Sequence, residues 1–127
     1  MQSLQTKPDA APDRGVVLTG AVLAAAARLG LSGRELGQVL GISEPTVSRM
    51  KNGAYQLEPG QKPYELAALL VRLFRSLDAI TGGDETVARA WMRGHNAAFD
   101  TAPAQRISSI TGLMDVVQYL DARRAPI

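Results

Sequence analysis

Apolar residues recur at helical spacing along most of the chain. A first run extends from Val16 to Leu29, and Gly30 follows it as a stop signal. The strongest run places six apolar residues at positions i, i+3, i+4, i+7, i+8 and i+11, namely Leu66, Leu69, Leu70, Leu73, Phe74 and Leu77. No segment alternates apolar and polar residues with a period of two. We therefore predict an all-α fold.

Capping residues delimit two short helices between these runs. Ser32-Gly-Arg-Glu35 has the form of a capping box, and the helix that it starts is predicted to end at Gly41. Ser43 is predicted to cap the second helix, which Asn52-Gly53 ends. The connector between the two helices is therefore only Gly41-Ile42-Ser43.

Two short helices joined by such a connector match a DNA-binding helix-turn-helix. A small residue in the turn lets the helices cross sharply, and apolar residues fill the angle: Leu36, Val39, Leu40, Ile42, Val47 and Met50. At about 100° per residue, Val47 and Met50 face inward while Pro45, Ser48, Arg49 and Asn52 face outward. The alternative is an ordinary helical hairpin with a solvated polar face.

The outer face of the second short helix carries the candidate DNA contacts. Ser48 and Arg49 are predicted to contact base edges, since a guanidinium pairs bidentately with guanine. Thr46, Lys51 and the helix N-terminus at Ser43 suit phosphates. The predicted DNA-binding set is Ser43, Pro45, Thr46, Ser48, Arg49, Lys51 and Asn52. Glu44 argues against this assignment, because its carboxylate repels the phosphate backbone.

Composition narrows the functional classes. The 127 residues contain no cysteine and a single histidine, so we expect no disulfide, no metal site and no cofactor. The longest apolar stretch is too short to span a membrane, and its N-terminal flank is a poor secretory signal, so we expect a soluble, cytoplasmic protein. The net charge of +2 permits a nucleic-acid partner without requiring one.

The chain divides at residues 54–63, which contain two prolines and a glycine. We predict a disordered lead-in over residues 1–14, the helix-turn-helix domain over residues 15–60, and a second helical domain over residues 61–127.

Three features are expected in the second domain: a short helix capped by Asp84, an irregular segment from His95 to Pro103, and a final helix from about Thr111 or Gly112. We expect the Leu66–Leu77 stripe to serve both as core and as a dimerisation seam, because so short a chain has a limited interior.

These motifs resemble a known family. Residues 35–49 resemble the Xre-type helix-turn-helix, and residues 64–127 resemble the toxin-binding domain of the Xre/MbcA/ParS antitoxins. The second resemblance is carried in order by Leu69, Leu73, Leu77, Ala90-Trp91-Met92, Asn96, Phe99, Pro103, Ile107, Ile110-Thr111-Gly112, Val116 and Leu120. Two departures are His95, where the family often has proline, and Ala98-Phe99-Asp100, where a Leu-Gly-Gly type run is usual. Both put the shape of this loop in question.

The resemblance implies an antitoxin, itself not an enzyme, encoded beside a RES-type toxin that consumes NAD. It implies that residues 61–127 bind the toxin and that the C-terminal end occludes the toxin's nucleotide pocket. It also implies a homodimer that represses its own operon through residues 16–60. The predicted toxin-binding residues are Asn96, Arg123, Arg124 and Ile127. Two guanidinium groups near the chain end suit acidic or phosphate-binding groups of a partner, although a solvated helix end is an equal alternative.

Other interpretations of the chemistry-bearing residues have less support. A stand-alone Xre-type repressor, whose C-terminal half dimerises or senses a ligand, is the main alternative. No arrangement of catalytic residues supports a small enzyme, because His95 lacks partners for a triad and nothing fixes the separation of Asp100 and Asp115. The aromatic residues Trp91, Phe99 and Tyr119 could stack on single-stranded nucleic acid, but their spacing beside aliphatic residues favours a core role.

Overall fold

The computed structural model describes residues 13–124, which form seven helices. They are α1 (Arg14–Leu29), α2 (Gly33–Leu40), α3 (Glu44–Lys51), α4 (Lys62–Ile80), α5 (Glu85–Arg93), α6 (Pro103–Arg106) and α7 (Ile110–Arg124). In this part of the chain the β-type pairing is an isolated antiparallel bridge between Asn96 and Thr101. The prediction of an all-α fold is confirmed. Residues 1–12 of the predicted lead-in lie outside the described residues.

The predicted capping residues shape the helix ends as expected. In the capping box of α2, the Glu35 amide donates to Ser32 Oγ at 3.1 Å and the Ser32 amide donates to Glu35 Oε1 at 2.9 Å. Ser43 caps α3 by accepting from the Thr46 amide at 3.2 Å. Gly41 ends α2 in the left-handed region at φ 72°. Local chemistry thus fixes the length of both short helices.

One helix and two helix starts differ from the sequence prediction. The final helix α7 begins at Ile110, just before the expected Thr111 or Gly112. The helix α6 lies at the end of the segment that the sequence predicts to be irregular, with Pro103 at its first position. Four residues are too few to show a helical period. The helix α1 begins at Arg14, earlier than the first apolar residue, because the Asp13 carboxylate accepts from the amides of Gly15 and Val16.

The long helix α4 packs against both α1 and α7. Its apolar stripe is buried inside the chain at Leu66, Leu70, Leu73 and Leu77, with Leu69 and Phe74 half-buried beside them. The expectation that this stripe also forms a dimerisation seam is wrong for its buried leucines, because fully covered side chains cannot contact a second copy.

Arginines of α5 tie the C-terminal helices to the helix-turn-helix. Arg89 donates to the carbonyl of Ala27, and Arg93 donates to the carbonyl of Gly30 at 2.6 Å. These carbonyls lie at the C-terminal end of α1, where the Ala27 carbonyl also accepts from the amide of the C-cap residue Gly30 at 3.1 Å. Arg93 also forms two hydrogen bonds to the Glu35 carboxylate, at 2.6 and 2.7 Å. The two predicted domains therefore share a polar as well as an apolar interface.

Candidate functional site

The helix-turn-helix has the predicted internal packing. Leu36, Val39, Leu40, Val47 and Met50 are buried, and Ile42 is half-buried. Sequence reasoning missed Gly37, which lies against the turn: a Cβ atom there would stand 2.7 Å from the carbonyl oxygen of Ile42. A glycine inside a helix is costly, and this cost was the available signal that the backbone must approach closely.

The structure places the predicted DNA-binding residues together on the outer face of α3 and at its ends. Ser43, Pro45, Ser48, Arg49, Lys51 and Asn52 are exposed, and Thr46 is half-buried. Glu44, the residue that argues against phosphate contact, is also exposed. The face is polar and accessible, as a helix that enters the major groove requires.

Arg49 is held along α3 by a chain of hydroxyl groups. Its Nη2 donates to Thr46 Oγ1 at 2.9 Å, and Thr46 Oγ1 lies 2.8 Å from Ser43 Oγ. The guanidinium is therefore ordered near the N-terminal turn of α3. The Thr46 contact uses one of the five N–H groups of the guanidinium, so the others stay available to a further partner.

Three aromatic side chains form a cluster in the C-terminal half of the chain. Trp91 stacks on Tyr119 with ring centroids 6.2 Å apart, and Phe99 meets the Tyr119 ring edge-on at 5.0 Å. All three side chains are half-buried against the core. This packing supports the core interpretation over a stacking platform for single-stranded nucleic acid.

Asn96 shapes the loop that anchors Phe99. Its Oδ1 accepts from the Ala98 amide at 3.0 Å, and its carbonyl accepts from the amides of Phe99 and Asp100. The loop closes through the Asn96–Thr101 bridge and holds Asp100 at a positive φ of 58°. The Asn96 side chain therefore makes its hydrogen bond within the loop and stabilises the loop's shape.

The two predicted C-terminal arginines have different neighbours. The Arg123 guanidinium carbon lies 3.5 Å from the centre of the Tyr119 ring, within cation–π distance. Arg124 instead reaches α4, where its Nη1 donates to Ser76 Oγ at 3.4 Å. Arg123 and the Asn96 loop therefore share one surface through the aromatic cluster, whereas Arg124 lies on the flank facing α4. Ile127 lies outside the described residues.

The carboxylates considered as a catalytic pair have separate partners. Asp115 forms an ion pair with Arg106, and His95 Nε2 lies 3.5 Å from Asp100 Oδ1 on the exposed loop. Across residues 13–124, no group of His, Cys, Asp or Glu side chains is arranged to hold a metal ion. No helix in the same residues combines the length and the apolar character that crossing a membrane requires.

Comparison with known families assigns both parts of the chain. Residues 9–75, more than half of the chain, match the family model of the antitoxin Xre-like helix-turn-helix domain. Residues 76–125 match that of the antitoxin Xre/MbcA/ParS C-terminal toxin-binding domain. A search of curated proteins gave no match. The two matches meet inside α4, whereas the sequence predicts a division at residue 61, and that division stays a prediction.

Proposed function

The chain belongs to the Xre/MbcA/ParS-type antitoxins, and we propose that it neutralises a RES-type, NAD-consuming toxin and represses the operon encoding both proteins. The observation that carries the proposal is the order of the two matched domains, each of which presents an accessible polar surface. No catalytic activity and no cofactor are assigned to the chain itself. We place its action in the cytoplasm, where operator DNA and toxin are both present.

Repression is assigned to the outer face of α3. The exposed Ser48 and Arg49 suit base edges, and the N-terminal turn at Ser43 suits a phosphate. A helix-turn-helix of this kind reads DNA as a dimer with two half-sites about one helical turn apart. The proposal therefore includes a homodimer and a two-fold symmetric operator.

The surface of the homodimer is assigned to α1. Val16 and Val17 are 49% and 57% exposed on this helix, which has no charged residue between Arg14 and Arg28. An amphipathic surface helix would carry polar residues there, so the apolar face supports contact with another chain. An open groove of about 470 Å³ between α1 and α4 borders Val17.

Toxin neutralisation is assigned to the surface formed by the Asn96 loop, Tyr119 and Arg123. A rigid loop beside an exposed guanidinium suits a partner that carries carboxylates or binds a nucleotide. The C-terminal residues that follow α7 are proposed to enter the toxin's nucleotide pocket. Inhibition would then result from physical exclusion of NAD.

Measurement of NAD loss tests this proposal. The protein encoded beside this chain is incubated with NAD, with and without increasing amounts of the antitoxin. We expect NAD loss in its absence and complete inhibition at a fixed molar ratio. The variant Arg123→Ala should need a higher concentration, whereas Arg34→Ala, an exposed arginine of α2, should behave as the wild type. A complex that forms without any NAD-consuming activity would contradict the RES assignment.

A further inference from the structure

Polar side chains hold the last turn of α7 against α4. Ser76 is fully buried in α4, and its hydroxyl donates to Asp121 Oδ1 of α7 at 2.8 Å. The same hydroxyl oxygen accepts from Arg124 Nη1 at 3.4 Å. A hydroxyl can donate once and accept at the same time, so Ser76 joins both α7 residues.

A second arginine completes the network. Arg72, one turn before Ser76 on α4, forms an ion pair with Asp121 Oδ2. Asp121 and Arg124 are three residues apart and therefore share one face of α7. Asp121 Oδ1 thus accepts a hydrogen bond from α4, whereas Oδ2 meets α4 through the ion pair alone, without hydrogen-bond geometry. We call Arg72, Ser76, Asp121 and Arg124 the α7 clamp.

The rest of the α4–α7 interface is apolar, with Leu73 and Leu77 on α4 and with Val117 and Leu120 on α7 among its buried residues. Apolar contacts are non-directional, and they would stabilise the helix pair without a buried hydroxyl. The Arg72 side chain is 60% exposed, so its ion pair with Asp121 adds little stability. The directional part of the interface is the hydrogen bond of the buried Ser76 hydroxyl. The clamp occupies the last described turn of α7.

We infer that the α7 clamp positions the last turn of α7, which carries Arg123, for toxin binding, and that Arg124 acts through Ser76 and Asp121 rather than by touching the toxin. This inference rests on the proposed function. It separates the two adjacent arginines, because Arg123 lies over Tyr119 and outside the clamp. Arg124 is thereby a positioning residue, and Arg123 is the contact residue of the pair.

A double-mutant cycle tests this division. The dissociation constant for the neighbouring toxin is measured for the wild type, Ser76→Ala, Arg124→Ala and the double variant. We expect each single change to weaken binding about tenfold, the size of one hydrogen bond to a charged group. The double variant should bind the toxin as tightly as the single variant with the larger loss of affinity, because both changes open the same clamp. If the fold-losses in affinity of the two single variants multiply in the double variant, Arg124 contacts the toxin directly and the inference is wrong.

The matched control is Arg123→Ala. In the double variant with Ser76→Ala, the two fold-losses in toxin affinity should multiply, because the two residues act separately. Thermal melting identifies variants that fail to fold. If Ser76→Ala is one of them, Asp121→Asn, which keeps the side-chain shape and removes the charge, replaces it in the cycle.

Hydrogen exchange of the chain without toxin tests the clamp separately from the proposed function. In Ser76→Ala, or in Asp121→Asn if that variant replaces it, the amides of residues 121–124 should exchange faster than in the wild type. In Arg34→Ala, which removes an exposed arginine of α2, they should not. Unchanged exchange would refute the clamp. Absence of toxin binding by the wild type would contradict the proposed function instead.

Discussion

The ion pair between Glu35 and Arg93 makes a quantitative prediction about the junction between the helix-turn-helix and the C-terminal helices. Hydrogen bonds from the Arg93 guanidinium, together with those of Ser32 in the capping box, lower the pKa of the Glu35 carboxyl from 4.5 to about 2, against the opposing effect of partial burial. That difference sets an upper limit of about 3 kcal/mol on the stabilisation. Because 47% of the Arg93 side chain is exposed to solvent, we expect about 1–2 kcal/mol.

The variant Glu35→Gln isolates this contribution. Glutamine can keep the capping box with Ser32 but cannot pair as an anion with Arg93. Its matched control is Glu65→Gln, which removes an exposed i,i+3 pair with Lys62 on α4. Urea unfolding at pH 7 should show a loss of about 1–2 kcal/mol for Glu35→Gln and less than about 0.5 kcal/mol for Glu65→Gln.

The pH dependence gives an independent check. The folded-state pKa of Glu35 lies below its unfolded value of 4.5, so the stabilisation is complete above that value and is lost as the pH falls towards 2. The difference between the wild type and Glu35→Gln should therefore shrink from about pH 5 downward. Equal stability of the two proteins at pH 7, or a difference that stays constant down to pH 3, would refute the reasoning.

Three further predictions concern separate parts of the chain. Arg49→Ala should weaken operator binding by about 1–3 kcal/mol and relax sequence preference in a binding assay; equal affinity would remove Arg49 from base contact. Leu73→Asp should abolish cooperative thermal unfolding, because it buries an unpaired charge, whereas Gln118→Asp, at an exposed position of α7, should not. Val17→Glu should reduce the solution mass to that of a monomer, whereas Val87→Glu, 49% exposed on α5, should leave a dimer. If both variants remain dimers, the α1 face is not the dimer interface.

The parts of the fold that depend on neighbouring residues were predictable from the sequence. The capping box at Ser32, the cap at Ser43 and the glycine stop at Gly41 all act within a few residues of each other. Together with the apolar period they identify α2, α3 and their connector. The outer face of α3 followed from the same periodicity.

Contacts between distant residues could not be predicted in this way. Ser76 and Asp121 are 45 positions apart, and Arg93 and Glu35 are 58 positions apart. No local pattern shows that Ser76 is buried or that Arg124 reaches it. Arg123 and Arg124 are adjacent in the sequence, but the packing of the helices gives them different surroundings. This difference could therefore be seen only in the folded structure.

Co-expression with the neighbouring gene product tests the central claim most directly. A tagged copy of this chain is purified from cells that also make its neighbour, and the mass and composition of the product are determined. The account predicts a stable complex with a second protein that stops growth when it is made alone. A homodimer without that protein, together with a neighbour that does not affect growth, would contradict the antitoxin function and would support a stand-alone repressor.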